Sequence, residues 1–299
     1  MYIDIVPALC DALCRHGLSV KPTQLAHVAR RASLVGNRLR KELTVEIIND
    51  LPVHATGRLL GLGYTLTEFA AAPAGLSQAS AEPVFALGAL ANLIVNAFDT
   101  QVDGGAPPGS VLAPSSLEGL NPCENVVDRL VQRYYEQMAA VTRGSPGVRR
   151  TLETAIRRMY DAEVLAALHG SKVSGRDWRR KSALPLVVMG FAAWAIAPED
   201  AEDRRMAHLR WLYRLGELIG LIDDSADLPS DCATGRANRM ALLIADRGCE
   251  RAAERAASLA SSILSDWDRF VYGRPANLLT RQTFGAMIWS WLTPAHNSN

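Results

Sequence analysis

The sequence predicts an all-α fold, a helical bundle around a central cavity, and three observations predict it. Apolar residues recur at spacings of three and four along nearly the whole chain. Strand-like alternation is scarce, and the composition is rich in Ala, Leu and Arg. Breakers punctuate the pattern at intervals that suit helices of ordinary length.

In chain order, the first apolar run, MYIDIVPALCDALCRHG, predicts a helix over 2–16. Periodic runs over 22–33, 37–50 and 53–70 predict three more, and PVFALGALANLIVNAF predicts a core helix over 82–101. Gly104-Gly105-Ala106-Pro107-Pro108-Gly109 ends that run and opens the longest irregular stretch, 104–122, which is placed to act as a lid. Helices follow over 122–142 and, after Ser145-Pro146-Gly147, over 146–169. A helix over 175–197 contains Pro185 and stops at Pro198. Runs over 200–223, 235–246 and 248–271 come next, and Gly273-Arg274-Pro275 separates the last of them from 278–292. No repeat of 20 to 50 residues is present, which disfavours a solenoid. No composition shift marks a boundary, so residues 1–299 read as one domain, with 1–35 as a candidate N-terminal helical extension.

The chain has 299 residues, 48% of them hydrophobic, enough for a sizeable core. Its net charge of +1 lacks the footprint of a nucleic-acid binder. Five cysteines, an odd number in a long chain, argue against a disulfide framework. No signal peptide is expected, and the uncharged stretches 83–98 and 182–198 are short for a membrane span. A cytoplasmic protein with reduced thiols is the expectation. The six histidines are scattered, and the sequence contains no His-Glu-x-x-His, no phosphate loop and no Gly-x-Ser-x-Gly elbow.

The chemistry is carried by aspartates. In LGELIGLIDDSADL, Asp223, Asp224 and Asp227 sit inside a stretch that is otherwise nearly all apolar. At about 100° per residue, Asp223 and Asp227 lie about 40° apart, with Asp224 beside them. Like charges in such surroundings repel one another and resist ionisation unless a cation joins them. Oxygen-only ligation suits Mg²⁺, which combines a few carboxylates with substrate phosphates. A second pair, Asp99 and Asp103, again spaced four apart, ends the apolar run before the glycines. Enough chain separates the two sets for them to face each other from different helices of a bundle.

These motifs resemble those of the class I isoprenoid synthases, the superfamily of trans-prenyltransferases and terpene cyclases. IDDSAD, 222–227, looks like their second DDxxD motif, and FDTQVD, 98–103, looks like a reduced first one. Lys181-Ser182 is similar to a Lys-Thr pair of the prenyl synthases, and GNRLRKEL is similar to their isopentenyl-diphosphate motif through Arg38 and Arg40. The chain departs from the elongating enzymes at Leu218-Ile219, where they carry Phe-Gln, and at 104–108, where they carry paired arginines. It also lacks the Asn-Asp-x-x-Ser motif usual in cyclases, so it is closest to atypical bacterial cyclases with two plain aspartate motifs. The resemblance implies a Mg²⁺-dependent terpene synthase, with three ions holding the diphosphate of a linear prenyl substrate. The alternatives are a prenyltransferase that also takes isopentenyl diphosphate and a non-catalytic helical partner subunit. Asp99, Asp103, Asp223, Asp224 and Asp227 would be the metal ligands and catalytic residues. Lys181, Arg236, Arg239 and Arg38 would bind phosphate, and Arg157, Arg158, Lys172, Arg176, Arg179 and Arg180 are further cations nearby. Phe98, Tyr160, Phe191, Trp194, Trp289 and Trp291 could shield a carbocation. Glu163 is expected to pair with Arg158 or another arginine. Many relatives dimerise, so a homodimer is an open expectation, although no stripe marks an interface.

Overall fold

In the computed structural model of the chain, residues 5–43, 47, 51, 53–76, 78–118, 125–169, 174–197, 202–272 and 278–292 are described, and among them there is no strand. The longer helices are α1 (Val6–Arg15), α2 (Pro22–Lys41), α3 (Val53–Ala71), α4 (Gln78–Asp103), α5 (Val126–Val141), α6 (Pro146–His169), α7 (Gly175–Gly190), α8 (Glu202–Thr234), α9 (Arg239–Arg247), α10 (Cys249–Val271) and α11 (Leu278–Leu292), and the stretch expected to be irregular from 104 holds a single helical turn, Pro108–Val111, and a 3-10 turn, Pro114–Glu118. Sequential neighbours pack as antiparallel pairs such as α2 with α3, α3 with α4, and α7 with α8. The first helices are built into the bundle: α2 lies along α3, and α1 buries Leu9, Ala12 and Leu13 against α10.

Several boundaries differ from the sequence expectation. The runs 22–33 and 37–50 are not separate at Gly36; α2 continues through it to Lys41, and residues 44–46 and 48–50 lie outside the described set. Gly36 is a contact point rather than a break. A Cβ there would lie 1.8 Å from the Gly57 carbonyl oxygen, so the glycine lets α2 and α3 touch backbone to backbone. The helix expected to stop at 223 instead runs to Thr234, past Pro229. Leu228 is buried, and the Asn238 side chain donates to the Asp224 carbonyl (2.7 Å) and to the Asp231 carboxylate (2.9 Å), tying down the extra turns. Gly235, at φ +70°, ends the helix in the left-handed conformation that glycine adopts without strain. Asn238 then caps α9 through the Ala241 N–H, so that helix begins at 239 rather than 235.

Phe69 on α3 anchors the core. Its ring stacks on Phe284 of α11 at 3.9 Å and on Trp267 of α10 at 5.2 Å. Two of the buried ring nitrogens around it show the pairing that interiors favour. Trp267 donates to the Phe69 carbonyl, and Trp194 donates to Nδ1 of fully buried His208. The other His208 nitrogen meets the Ala70 carbonyl, which makes it the protonated one of a neutral ring, and burial pushes its pKa down to about 4.

The helix expected over 82–101 is longer than that reading. Over Ser80–Asp103 it is the one described helix long and apolar enough to cross a membrane. In the bundle its apolar sides pack against α3, α5 and α7.

Candidate active site

α3, α4, α6, α7, α8 and α11 surround a cavity of about 950 Å³. Leu59, Leu62, Leu66, Val95, Leu186, Met189, Met287 and Trp291 give it apolar walls. On α4, Asn92, Val95, Asn96, Asp99 and Asp103 follow one another at spacings of three and four and line one wall. On α8, Ile219, Gly220, Asp223, Asp224, Asp227 and Asp231 line another. The two helices end on the same side. Arg236, just past α8, donates to both the carboxylate (2.8 Å) and the carbonyl (3.0 Å) of Asp103, the last residue of α4. Each end carries the negative pole of its helix and no basic residue in its last turn. The structure thus places Asp99 and Asp103 on one wall of the cavity and Asp223, Asp224 and Asp227 on another.

α7 enters between these walls. Gly216 and Gly220 let α8 press against it: a Cβ at Gly220 would lie 2.5 Å from the Ser182 hydroxyl. This close approach brings Lys181 into the cavity, where its ammonium sits 2.8 Å from Glu163 and 3.8 Å from Asp99. Glu163 is buried and paired with this lysine, not with an arginine, which corrects the expectation for that residue.

The charge balance is uneven. Asp99, Asp103, Glu163, Asp223, Asp224, Asp227 and Asp231 line the cavity, against the cations Arg58, Lys181 and Arg236. Asp223 opens onto the cavity but lies deep in the molecule. Burial, then the nearby Asp227 charge, raises its pKa to about 6. Burial, then Asp231 and Asp103, also raises Asp227. Asp99 is raised by burial and by Asp103, with Lys181 opposing. Glu163 is pushed up to about 7, by burial first and Asp99 second. Burial would lower Lys181, but Asp99 and Glu163 more than reverse this, so it stays charged.

Asp224 has a different setting from its neighbours. Its Oδ2 accepts from the Trp178 indole N–H at 3.0 Å and from the Arg239 backbone N–H at 2.7 Å. Burial still lifts its pKa to about 7, against the pull of the Arg239 N–H. Those two donors make Asp224 the tie between α7, α8 and the start of α9.

The phosphate-binding candidates separate. Lys181 and Arg236 face the cavity. The Arg239 side chain lines a different pocket, beyond α7. Arg38 lies outside the cavity lining, paired with Glu82 and 5.9 Å from the Tyr64 ring centroid, and Tyr64 donates to the same Glu82 at 2.5 Å. Among the candidate aromatics only Trp291 lines the cavity, and Trp178 joins it. Phe98, Phe191 and Trp194 are buried, while the Tyr160 hydroxyl donates to Leu112 and the Trp289 indole N–H to Leu18. Gly105, Ala106, Pro107 and Pro108 form part of the rim, and Tyr160, Asn125 and Asp128 bond the segment that follows. Asp231 was not among the expected ligands, although it continues the spacing of Asp223 and Asp227 by one more step of four.

Among the described residues no three acids close around one point as a preformed metal cage. The donors instead stand apart on two walls, all oxygen, crowded and short of cations. That set fits hard divalent cations that share their coordination with a phosphate ligand.

Neither a protein-family model nor a curated protein sequence matches the chain. Among solved structures, a linalool/nerolidol synthase from Streptomyces clavuligerus, in complex with 2-fluorogeranyl diphosphate, is similar in fold. It aligns with a TM-score of 0.52 at 14% identity, over 93% of this chain and 96% of that one. The chain has the class I terpene synthase fold. That fold accounts for the all-α architecture and for the cavity enclosed by its helices.

Proposed function

We propose that the chain is a Mg²⁺-dependent class I terpene synthase that ionises a linear prenyl diphosphate, releases diphosphate and turns the carbocation into a terpene. The observation that carries this reading is the pair of acidic walls, from the ends of α4 and α8, facing each other over a cavity with apolar sides. A cavity of about 950 Å³ is of the size that small-molecule sites use. The diphosphate analogue held by the similar synthase is of the substrate class proposed here.

Asp99, Asp103, Asp223, Asp227 and Asp231 are the residues that would hold the metal, with Asp224 keeping α8 in place beneath them. Bound Mg²⁺, three ions in the fullest arrangement, would neutralise charge growing on the departing diphosphate. Lys181, kept cationic by Glu163 and Asp99, donates to phosphate oxygens. Arg236 can do the same, and its bond to Asp103 places it at the mouth. The leucines, methionines and Val95 exclude water from the hydrocarbon, and the faces of Trp178 and Trp291 stabilise positive charge. An odd number of cysteines in a chain of this length suits action in a reducing cytoplasm.

The test is diphosphate release with Mg²⁺ from geranyl, farnesyl and geranylgeranyl diphosphates, each with and without isopentenyl diphosphate. Release from one substrate alone, with a hydrocarbon or alcohol as product, is the expected result. Turnover only with isopentenyl diphosphate would replace this reading with a prenyltransferase. No turnover at all would leave a non-catalytic helical protein.

The raised carboxylates also set a pH dependence. Asp223 at about 6, and Asp224 and Glu163 at about 7, hold protons in the folded chain that the unfolded chain has already lost. Their contribution to stability is therefore full below about pH 4 and declines as pH rises towards 7. Mg²⁺ should reverse that decline, raising Tm at about pH 8 far more than at about pH 5, because it needs the ionised acids. Thermal melts across pH with and without millimolar Mg²⁺ check this, and Asp223→Asn should flatten both the decline and the Mg²⁺ response. A Tm independent of Mg²⁺ at every pH would count against the metal assignment.

A further inference from the structure

On the far side of α7 lies a second pocket, of about 410 Å³, which shares no lining residue with the aspartate cavity. Its walls carry five arginines from three helices: Arg158 on α6, Arg176, Arg179 and Arg180 on α7, and Arg239 at the start of α9. Gly175 lies beside the last of them, 3.8 Å separating its Cβ position from Arg239 Nη1, an ordinary contact distance. Two acids answer these cations, Asp177 to Arg180 at 3.4 Å and Glu217 to Arg179 at 3.6 Å. Arg158, Arg176 and Arg239 have no acidic partner among the described residues. Arginine stays charged at any working pH, so the three guanidinium groups repel one another unless an anion lies between them. Their planar forks match phosphate oxygens in pairs.

We propose that this pocket binds a diphosphate-type anion without any metal, at a site separate from the aspartate cavity. The arginines supply charge-assisted hydrogen bonds, and Tyr213 and Leu184 offer an apolar wall to whatever the phosphates are attached to. The pocket abuts the junction where the Arg239 N–H holds Asp224, so an occupant also braces α7, α8 and α9 against one another.

The two sites respond in opposite ways to removal of divalent cations. Stripped of metal, the aspartate cavity is net negative and repels diphosphate, whereas the arginine pocket keeps its positive charge. Isothermal titration of the full chain with inorganic diphosphate in excess EDTA therefore reads the arginine pocket. Saturable binding is expected, with orthophosphate weaker. Arg176→Ser/Arg239→Ser, and separately Arg158→Ser/Arg176→Ser, should each raise the dissociation constant at least about tenfold, since each loses two charge-assisted contacts. Arg236→Ser, in the other cavity, should leave it unchanged. Competition with ADP then distinguishes sources: equal affinity identifies a site open to diphosphate esters, and preference for the inorganic ion identifies one closed to them. Either result supports the proposal. No saturable binding in EDTA, or a loss that follows Arg236→Ser rather than the two double variants, overturns it. Neither outcome depends on whether the aspartate cavity turns over a prenyl diphosphate.

Discussion

Asp223→Ala and Asp99→Ala should each lower Mg²⁺-dependent diphosphate release roughly a hundred- to a thousandfold, the range seen when one electrostatic stabiliser is removed from a transition state. The two residues lie on opposite walls, α8 and α4, and their charges are close enough to raise the pKa of Asp223. Among the described residues neither has a hydrogen-bond donor comparable to those of Asp224, although Lys181 approaches Asp99 at 3.8 Å. Both are therefore available to a ligand. Deleting either also removes a like charge from a crowded set, so the metal-free variants should melt at or above the wild-type temperature with unchanged helical circular dichroism. Lost activity with retained or increased stability is the signature of an acid present for function rather than for folding. Asp224→Asn should show the reverse pattern. Its carboxylate serves Trp178 and the Arg239 N–H, so the variant should lose stability and keep much more of its activity. The measurement is diphosphate release beside thermal melts for all three variants. Full activity in both alanine variants would overturn the assignment of these walls as a metal site.

The placement of the acids was more legible in the sequence than their partners were. Helical spacing alone places Asp223 and Asp227 on one face, because that geometry is local and follows from 3.6 residues per turn. The same spacing extends to Asp231, but Pro229 makes the helix look as if it should end before it. The helix survives because Leu228 is buried and Asn238 bonds back to it, and both are tertiary facts. Glu163 is a parallel case. Its neighbours in sequence include several arginines, yet its partner is Lys181, on the next helix. Arg38 and Arg239 matched motifs or positions in the chain, but which cavity a long side chain reaches depends on which face of its helix the neighbouring helix covers. Gly36 misleads for another reason. A glycine in a helix reads as a break when only backbone entropy is considered, and as a contact point only once the opposing helix is known.

Gly216→Val should be the most destabilising single change near the site. Replacing a helical glycine in open space stabilises a helix by up to about 1 kcal/mol. At Gly216 that gain is overwhelmed. A Cβ would lie 2.4 Å from the Ala183 Cα and 2.7 Å from the Ser182 carbonyl oxygen. These are backbone atoms of α7, so no rotamer change on the partner helix can clear the space. The helices must separate, and the buried side chains Leu212, Leu215, Leu184 and Val187 along that seam lose contact together. Overpacking of well-filled interiors costs about 1–3 kcal/mol, and a backbone collision belongs at the upper end. For a chain of this size about 3 kcal/mol corresponds to roughly 6–12 °C in Tm. The same displacement moves Lys181 and Ser182 on α7 relative to Asp223 on α8, so diphosphate release should fall as well, even at temperatures where the variant is folded. Thermal melts and activity at a low temperature measure the two effects separately. A Tm within a degree or so of wild type, smaller than a 1 kcal/mol loss would give, would show that α7 and α8 can move apart without cost. The position of Lys181 between the acidic walls would then need a support other than the glycine seam.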